Sequence, residues 1–435
     1  NADGGWGDTD LSFSNIATTM LAQAAIRLTA FPLEDSCTQR AAAYVEAQGG
    51  VKGLHRRYGR DKTFAAPILA NCALAGMVPW SEVAALPFEM ACMPQRFYRM
   101  ARLPVVSYAI PALVAIGQAK FLNDPPRGPL RWVRNRAVGP SVKVLERMQP
   151  ASGGYLEAIP LTSFVMMSLA ATGRADHAVT RSGLRFLLGT VREDGSWPID
   201  SDLSTWNTTL AISALAAGGQ EELEPLAPLL EWLLAGQYKE IHPFTGAAPG
   251  GWGWTNLSGA VPDADDTPAA LLALSRFQET LELDAVTRKR IGAAVTAGLG
   301  WLLDLQNRDG GWPTFCRGWG KLPFDRSGSD LTAHAIRALR AWKYGDTEGR
   351  LSELGKRGRT AELRGFHFLR RRQRRDGSWI PLWFGNQHHP AEENPVYGTA
   401  KVLLAYRDAG QLSAPPARAG LRWLVEHPNR DGSWG

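Results

Sequence analysis

Cysteine is scarce in this 435-residue sequence. Cys37, Cys72, Cys92 and Cys316 lie far apart. They have no zinc-ligand spacing and make no disulfide framework, so the expectation is a reduced, cytosolic chain. Long apolar runs are missing too. The best candidate, Leu103 to Phe121, is broken by Pro104 and Pro111, whereas a bilayer span needs ~18–20 apolar residues. The opening residues Asn1 to Trp6 do not have the basic and apolar regions of a signal peptide. Charge of one sign is not concentrated either: 48 Lys and Arg face 42 Asp and Glu, a net of +6. The two denser basic patches, Arg127 to Arg147 and Arg370 to Arg375, read as solvated helix faces. No nucleic-acid partner is expected, because neither patch carries a recognition motif.

What the sequence does have in quantity is tryptophan, 16 residues against 15 Phe and 9 Tyr. Many of these close a recurring phrase: Asp3-Gly4-Gly5-Trp6, Asp194-Gly195-Ser196-Trp197, Asp309-Gly310-Gly311-Trp312, Asp376-Gly377-Ser378-Trp379 and Asp431-Gly432-Ser433-Trp434. Weaker copies are Gly153-Gly154-Tyr155 and Gly250-Gly251-Trp252. From Tyr155 onward the spacing is roughly 40–70 residues, the range of helical-pair repeats. An amphipathic helix ending near a Gln precedes each turn, as with Gln306 and Gln373, and a more apolar helix follows it. The expected apolar helices are Asn207–Ala216, Thr267–Leu274, Leu331–Trp342 and Tyr397–Tyr406. Asp-Gly supplies the turn because glycine accepts positive φ at no steric cost. The fold class expected is all-α, with almost no strand: α/α toroids of inner and outer helices. Residues 1–225 would form one barrel and residues 226–435 most of a second, catalytic one, with a cavity between them.

Aligning Thr208, Thr267, Thr332 and Thr399 places Trp206, Asp265, Asp330 and Tyr397 at one equivalent position, two residues earlier. In a toroid, such positions face a shared centre. The segment Val261-Pro262-Asp263-Ala264-Asp265-Asp266-Thr267-Pro268 puts three carboxylates within four residues at the head of an inner helix. Helix capping alone would need one of them. An alkene is protonated only by a strong acid with a stabilised conjugate base. A helix N-terminus stabilises the carboxylate, and crowded carboxylates let one member keep its proton near neutral pH. His334 is the expected neighbouring cation, with Asp330 at i−4 to orient it. Aromatic rings would stabilise the resulting carbocation without reacting with it, at ~2 kcal/mol per desolvated contact.

Together these features resemble the squalene–hopene cyclase family, a branch of the class II terpene cyclases. The Gln-Gly-Trp phrase is similar to the family's QW-type structural repeat. Pro262-Asp263-Ala264-Asp265-Asp266-Thr267 resembles its DXDD motif, and Asp330-Leu331-Thr332-Ala333-His334 resembles the segment whose His bonds the acid. The resemblance implies Asp265 as general acid, with Asp263, Asp266, His334 and Asp330 in support. It implies Trp254, Trp206, Phe315, Trp383, Tyr397 and Tyr108 as substrate- and cation-facing aromatics. The implied substrate is squalene or a related lipophilic polyprenoid, cyclised to a hopanoid-like polycycle without metal or cofactor. The family works as a monotopic protein on the cytoplasmic side of the cell membrane, with which the apolar stretch Leu161 to Ala171 and the basic patches agree. A homodimer is among the assemblies it allows.

The sequence departs from the family where other members keep a Cys before the His segment. Here Leu322-Pro323-Phe324-Asp325-Arg326-Ser327 is shorter, with Cys316 or Asp325 as stand-ins. The expectation is a piece of a longer protein, beginning and ending inside repeats. Two other readings stay open: a Mg²⁺-dependent class II cyclase of a prenyl diphosphate, and a non-catalytic α/α toroid that binds ligands. A prenyltransferase would need a zinc site that the sequence does not supply.

Overall fold

The computed structural model describes residues 1–59, 62–94, 108–216, 227–243, 245–316, 326–342 and 353–435. Among these, every regular element is helical, and extended backbone pairs only at isolated bridges. The chain divides into two units. One comprises Asn1–Ser201 with Leu257–Gly259 and Gln387–Pro390; the other comprises Asp202–Asn256, Ala260–Asn386 and Ala391–Gly435.

The first unit contains α1 (Ile16–Thr29), α2 (Asp35–Ala47), α3 (Gly50–Tyr58), α4 (Lys62–Leu74), α5 (Ile110–Asn123), α6 (Pro129–Met148), α7 (Ile159–Leu169) and α8 (Ala178–Gly189). Its core gathers Ile16, Met20, Leu54, Leu69, Cys72 and Ile116. Helix α5 is buried almost throughout, whereas α6 carries the basic patch and exposes Trp132 beneath the Arg136 guanidinium, 3.9 Å from the ring centroid.

The second unit contains α9 (Ser204–Leu215), α10 (Ala227–Ala235), α11 (Asp266–Thr280), α12 (Ala285–Leu305), α13 (Ser329–Ala341), α14 (Glu353–Arg372), α15 (Pro395–Asp408) and α16 (Pro415–Glu426). Helices α9, α11, α13 and α15 stand side by side in chain order, and α12, α14 and α16 back α11, α13 and α15 in turn. The inner and outer rows follow from composition. Every residue of α13 from Ser329 to Ile336 is buried, while α14 sends Arg370, Arg371 and Arg372 into solvent. The expected boundary near residue 225 moves to Ser201/Asp202, because α9 packs against α11 and belongs with the second unit.

The repeated phrase is a clasp. Gln306 Nε2 donates to the carbonyls of Gly310 and Ala361, both at 2.8 Å, tying its own turn to the next outer helix. Gln237, Gln373 and Gln149 each make the same pair of bonds in their own repeats. The indole N–H of each closing Trp donates back to the outer helix: Trp252 to Leu233, Trp312 to Leu302 and Trp379 to Leu369. Their backbone N–H groups donate to Thr267, Thr332 and Thr399, which locks each turn to the following inner helix. These bonds give the threonine register a physical basis for three of its four members. Thr208 has no such bond from Trp197, whose ring is half exposed.

Candidate active site

The acidic segment is held from both sides. On one side, the Asp263 N–H donates to the Trp252 carbonyl at 3.0 Å. Gly251 and Gly253 permit this approach, since a Cβ on either would stand 2.8 Å from Pro262 Cβ or 2.6 Å from the Val261 carbonyl oxygen. On the other side, Asp263 forms a bridge with Phe315, the Ala264 N–H donates to the Thr314 carbonyl at 2.6 Å, and the Cys316 N–H donates to Pro262 at 3.2 Å. Tyr238 Oη donates to the Ala260 carbonyl at 2.8 Å, and His242 Nε2 lies 3.1 Å from the same oxygen. The sequence had not marked Tyr238 or His242.

This clamp separates the three carboxyl groups by task. One oxygen of Asp263 accepts the backbone N–H of Asp265 at 2.8 Å and of Asp266 at 2.7 Å, satisfying donors that the helix start leaves unpaired. Asp265 occupies the N-cap position of α11, yet its side chain makes no capping bond. Pro268 falls in the first turn, where its missing N–H costs nothing. Asp263 and Asp266 are each 2% exposed, whereas Asp265 keeps some accessible surface. Burial pushes all three carboxyl groups above their usual range. The two backbone N–H donors pull Asp263 back down, whereas the charges of Asp263 and Asp265 push Asp266 further up. For Asp265, loss of hydration is the largest cause. The Lys401 charge opposes it, and Asp263 and Asp330 reinforce it.

On α13, Asp330 and His334 lie one turn apart and are 3% and 7% exposed. Asp330 accepts the Leu382 N–H at 3.4 Å, while its other oxygen and His334 Nδ1 have no hydrogen-bond partner among the described residues. The expected Asp330–His334 hydrogen bond is therefore not formed. Nor is His334 the cation anticipated from the sequence. Burial, followed by the charges of Lys401 and Arg337, holds its ring well below the usual imidazole range, with only a bond toward the Asp265 backbone opposing. Of the charges acting on Asp265, those of Asp263 and Asp330 push its carboxyl up and that of Lys401 pulls it down.

Two groups of rings stand in the same unit. Trp254 and Phe315 meet edge to face, centroids 5.8 Å apart. Trp206 stacks on Phe384 at 5.8 Å, and Phe384 lies 4.9 Å from Tyr397. The groups are linked through backbone, since the N–H groups of Thr205 and Trp206 at the head of α9 donate to the Trp254 carbonyl. Trp383 donates its indole N–H to Thr314 Oγ1, beside the acidic clamp. The Tyr397 hydroxyl is pushed up by burial first and then by the Asp265 and Asp330 charges. Phe384 was not foreseen; its one signal is its place next to Trp383. Tyr108 is buried just ahead of α5, in the first unit. Of the two stand-ins for the family's Cys, Cys316 is buried against the clamp, and Asp325 lies outside the described residues.

An all-helical fold closed by Gln–Trp clasps, with a carboxyl triad at the head of an inner helix, defines the class of the class II terpene cyclases. Residues 203–435 match the squalene-hopene cyclase C-terminal domain, and residues 1–116 match the squalene-hopene cyclase N-terminal domain. The chain belongs to the squalene–hopene cyclase family and is by family an intramolecular, isomerase-type cyclase. It is 25% identical to the squalene–hopene cyclase of Bradyrhizobium diazoefficiens, over all of this chain and 71% of that protein. It is 26% identical to a probable squalene–hopene cyclase of Sinorhizobium fredii, over 83% of this chain and 63% of that protein. Identity to the squalene–hopene cyclase of Alicyclobacillus acidocaldarius is 25%, over 94% of this chain and 69% of the relative. The chain thus spans 63–71% of the length of these relatives.

Proposed function

We propose that this protein cyclises squalene or a similar long, non-polar polyprenoid, and that Asp265 is the general acid that starts the reaction. One observation carries the reading: Asp263 does the capping of α11, which leaves the Asp265 carboxyl without a structural task while burial keeps it protonated. In the proposed step the Asp265 O–H bond breaks and a C–H bond forms at the terminal alkene carbon. The π pair moves into that new bond, leaving a tertiary cation that the remaining double bonds attack in turn. Trp206, Trp254, Phe315, Phe384, Trp383 and Tyr397 supply ring faces to these cations, at ~2 kcal/mol per desolvated contact. The reaction so written uses a proton as its only activator and calls on no metal or cofactor. The proposal extends to closed α/α toroids and to peripheral, monotopic attachment on the cytoplasmic side of the membrane. The exposed Arg370–Arg372 cluster supports an anionic surface as partner.

The test is incubation of the protein with squalene in detergent, followed by mass spectrometry of the extracted lipids. A cyclic isomer of squalene, or its hydrate, is the expected product, and Asp265→Asn should abolish it. Turnover of geranylgeranyl diphosphate alone, dependent on Mg²⁺, would overturn the substrate assignment. Product formation unchanged by Asp265→Asn would overturn the acid.

A further inference from the structure

The acid-bearing repeat departs from the others at the turn that its Gln clasps. In other repeats the glycine N–H of this turn returns to a carbonyl three residues earlier: Gly195 to Arg192 at 2.9 Å, and Gly310 to Asn307 and Gly377 to Arg374 at 3.0 Å. In the acid-bearing repeat the same bond runs from Gly250 to Tyr238 at 2.7 Å, with eleven residues, 239–249, between them. The added chain reaches the acidic loop. Tyr238, at its base, and His242, inside it, meet edge to face with ring centroids 5.3 Å apart, and both converge on the Ala260 carbonyl. We propose that this lengthened turn is a positioning device for the acid, in which Tyr238 and His242 fix the Ala260 carbonyl and thereby the aim of the Asp265 carboxyl. The inference rests on Asp265 being the acid, and it brings two residues outside the acidic motif into the reaction.

The bonding assigns the proton on the imidazole. A carbonyl oxygen only accepts, so His242 Nε2 donates to Ala260 at 3.1 Å. A backbone N–H only donates, so Nδ1 accepts from Thr245 at 3.2 Å. His242 is therefore the Nε2–H tautomer. The turn also grips its backbone: the His242 N–H donates to the Ala247 carbonyl at 3.0 Å, and its carbonyl accepts from Gly246 at 2.8 Å. With the Tyr238 hydroxyl at 2.8 Å, both lone pairs of the Ala260 oxygen are used. Ala260 is fully buried and His242 is 4% exposed, so water does not replace a lost donor. Tyr238 is tied to the neighbouring backbone as well. Its N–H donates to the Gly251 carbonyl at 3.0 Å, next to Trp252, whose carbonyl takes the Asp263 N–H. One turn thus holds the chain at Ala260 and again at Asp263. Val261 lies between and precedes Pro262, which confines it to extended backbone. With these points set, Asp263 meets the N–H groups of Asp265 and Asp266, and the direction of the Asp265 side chain follows. Tyr238 and His242 are positioning residues, acting through the loop rather than on a reacting atom.

The experiment compares four variants in the full chain. Tyr238→Phe removes one donor. His242→Asn keeps an acceptor for the Thr245 N–H and withdraws the other donor, whereas His242→Gln carries an amide N–H to the place of Nε2. The fourth combines Tyr238→Phe with His242→Asn. The first readout is amide hydrogen exchange by mass spectrometry. Exchange in residues 260–268 should rise about tenfold in the double variant, with 307–316 and 374–383 unchanged. The second readout is steady-state squalene turnover. Each single loss should lower kcat about threefold, and the double about a hundredfold, because only then is the oxygen left dry, with KM little changed. His242→Gln should stay within about twofold of the original protein. Unchanged exchange at 260–268 in the folded double variant overturns the proposal, and so does a rise shared equally by all three segments, which marks general loosening. A raised exchange with unchanged kcat overturns it too. If the unmodified protein does not turn squalene over, the acid reading fails on its own, while exchange at 260–268 still decides whether the pair holds the acidic loop.

Discussion

At the scale of the residue, the site is a division of labour among carboxyl groups, and each role carries its own expected phenotype. Asp263→Ala leaves two N–H donors at the head of α11 without an acceptor, at about 1–3 kcal/mol each if both stay dry. Asp263→Asn keeps an acceptor and should recover much of this, measured by urea unfolding. Asp265→Asn has the opposite sign. A carboxyl whose folded pKa is raised contributes stability at low pH, below its unfolded value, and loses that contribution as pH climbs through the folded value. Asp265→Asn should therefore melt with the original protein near pH 4 and above it at pH 8–9, by about 2–4 °C per kcal/mol. The triad itself was legible in the sequence because three carboxylates in four residues exceed what a cap requires. Which member capped was not, since that depends on how the clamp from Trp252 and Phe315 bends the loop. The hydration lost by the His334 ring, 7% exposed, is likewise invisible in a one-dimensional pattern.

At the scale of the element, the clasp makes each helical pair a module joined to the next through carbonyl groups. Gln306→Ala should cost about 1–3 kcal/mol by orphaning the Gly310 and Ala361 carbonyls. Gly310→Ala should cost about 3 kcal/mol or more, because Gly310 has φ +95° and a Cβ would sit 2.4 Å from the Arg364 carbonyl oxygen. Equilibrium denaturation checks both. Here the sequence was informative: the phrase, its Gln and the alternation of amphipathic with apolar helices all correspond to observed contacts. Helix starts were read late by one to three residues. The apolar pattern starts at Asn207, Leu331 and Tyr397, where the helices begin at Ser204, Ser329 and Pro395. Polar first-turn residues hide an apolar helix's beginning, and at α15 the cap comes from Asn394, outside the apolar pattern.

At the scale of the whole molecule, the exposed arginines at the end of α14 set the expected behaviour at a surface. Arg370, Arg371 and Arg372 point to solvent, with Arg372 over the Phe368 ring. Replacing the three by Glu should weaken co-sedimentation with anionic vesicles about a hundredfold, at ~1 kcal/mol per basic residue. Neutral vesicles should show little difference. The chain divides into two units. Their border was not legible, because α9 follows an outer helix of one unit and packs on an inner helix of the other. A last consequence follows from the oxygen of Asp263 that accepts two backbone donors. If Asp265 is the acid, as proposed, architecture and reactivity sit on different side chains, and one codon change at Asp265 yields a copy of this protein that is mute in chemistry and intact in shape. Such silent paralogues should persist in genomes, recognisable by an amide where the acid stood and by melting curves no lower than those of their working siblings.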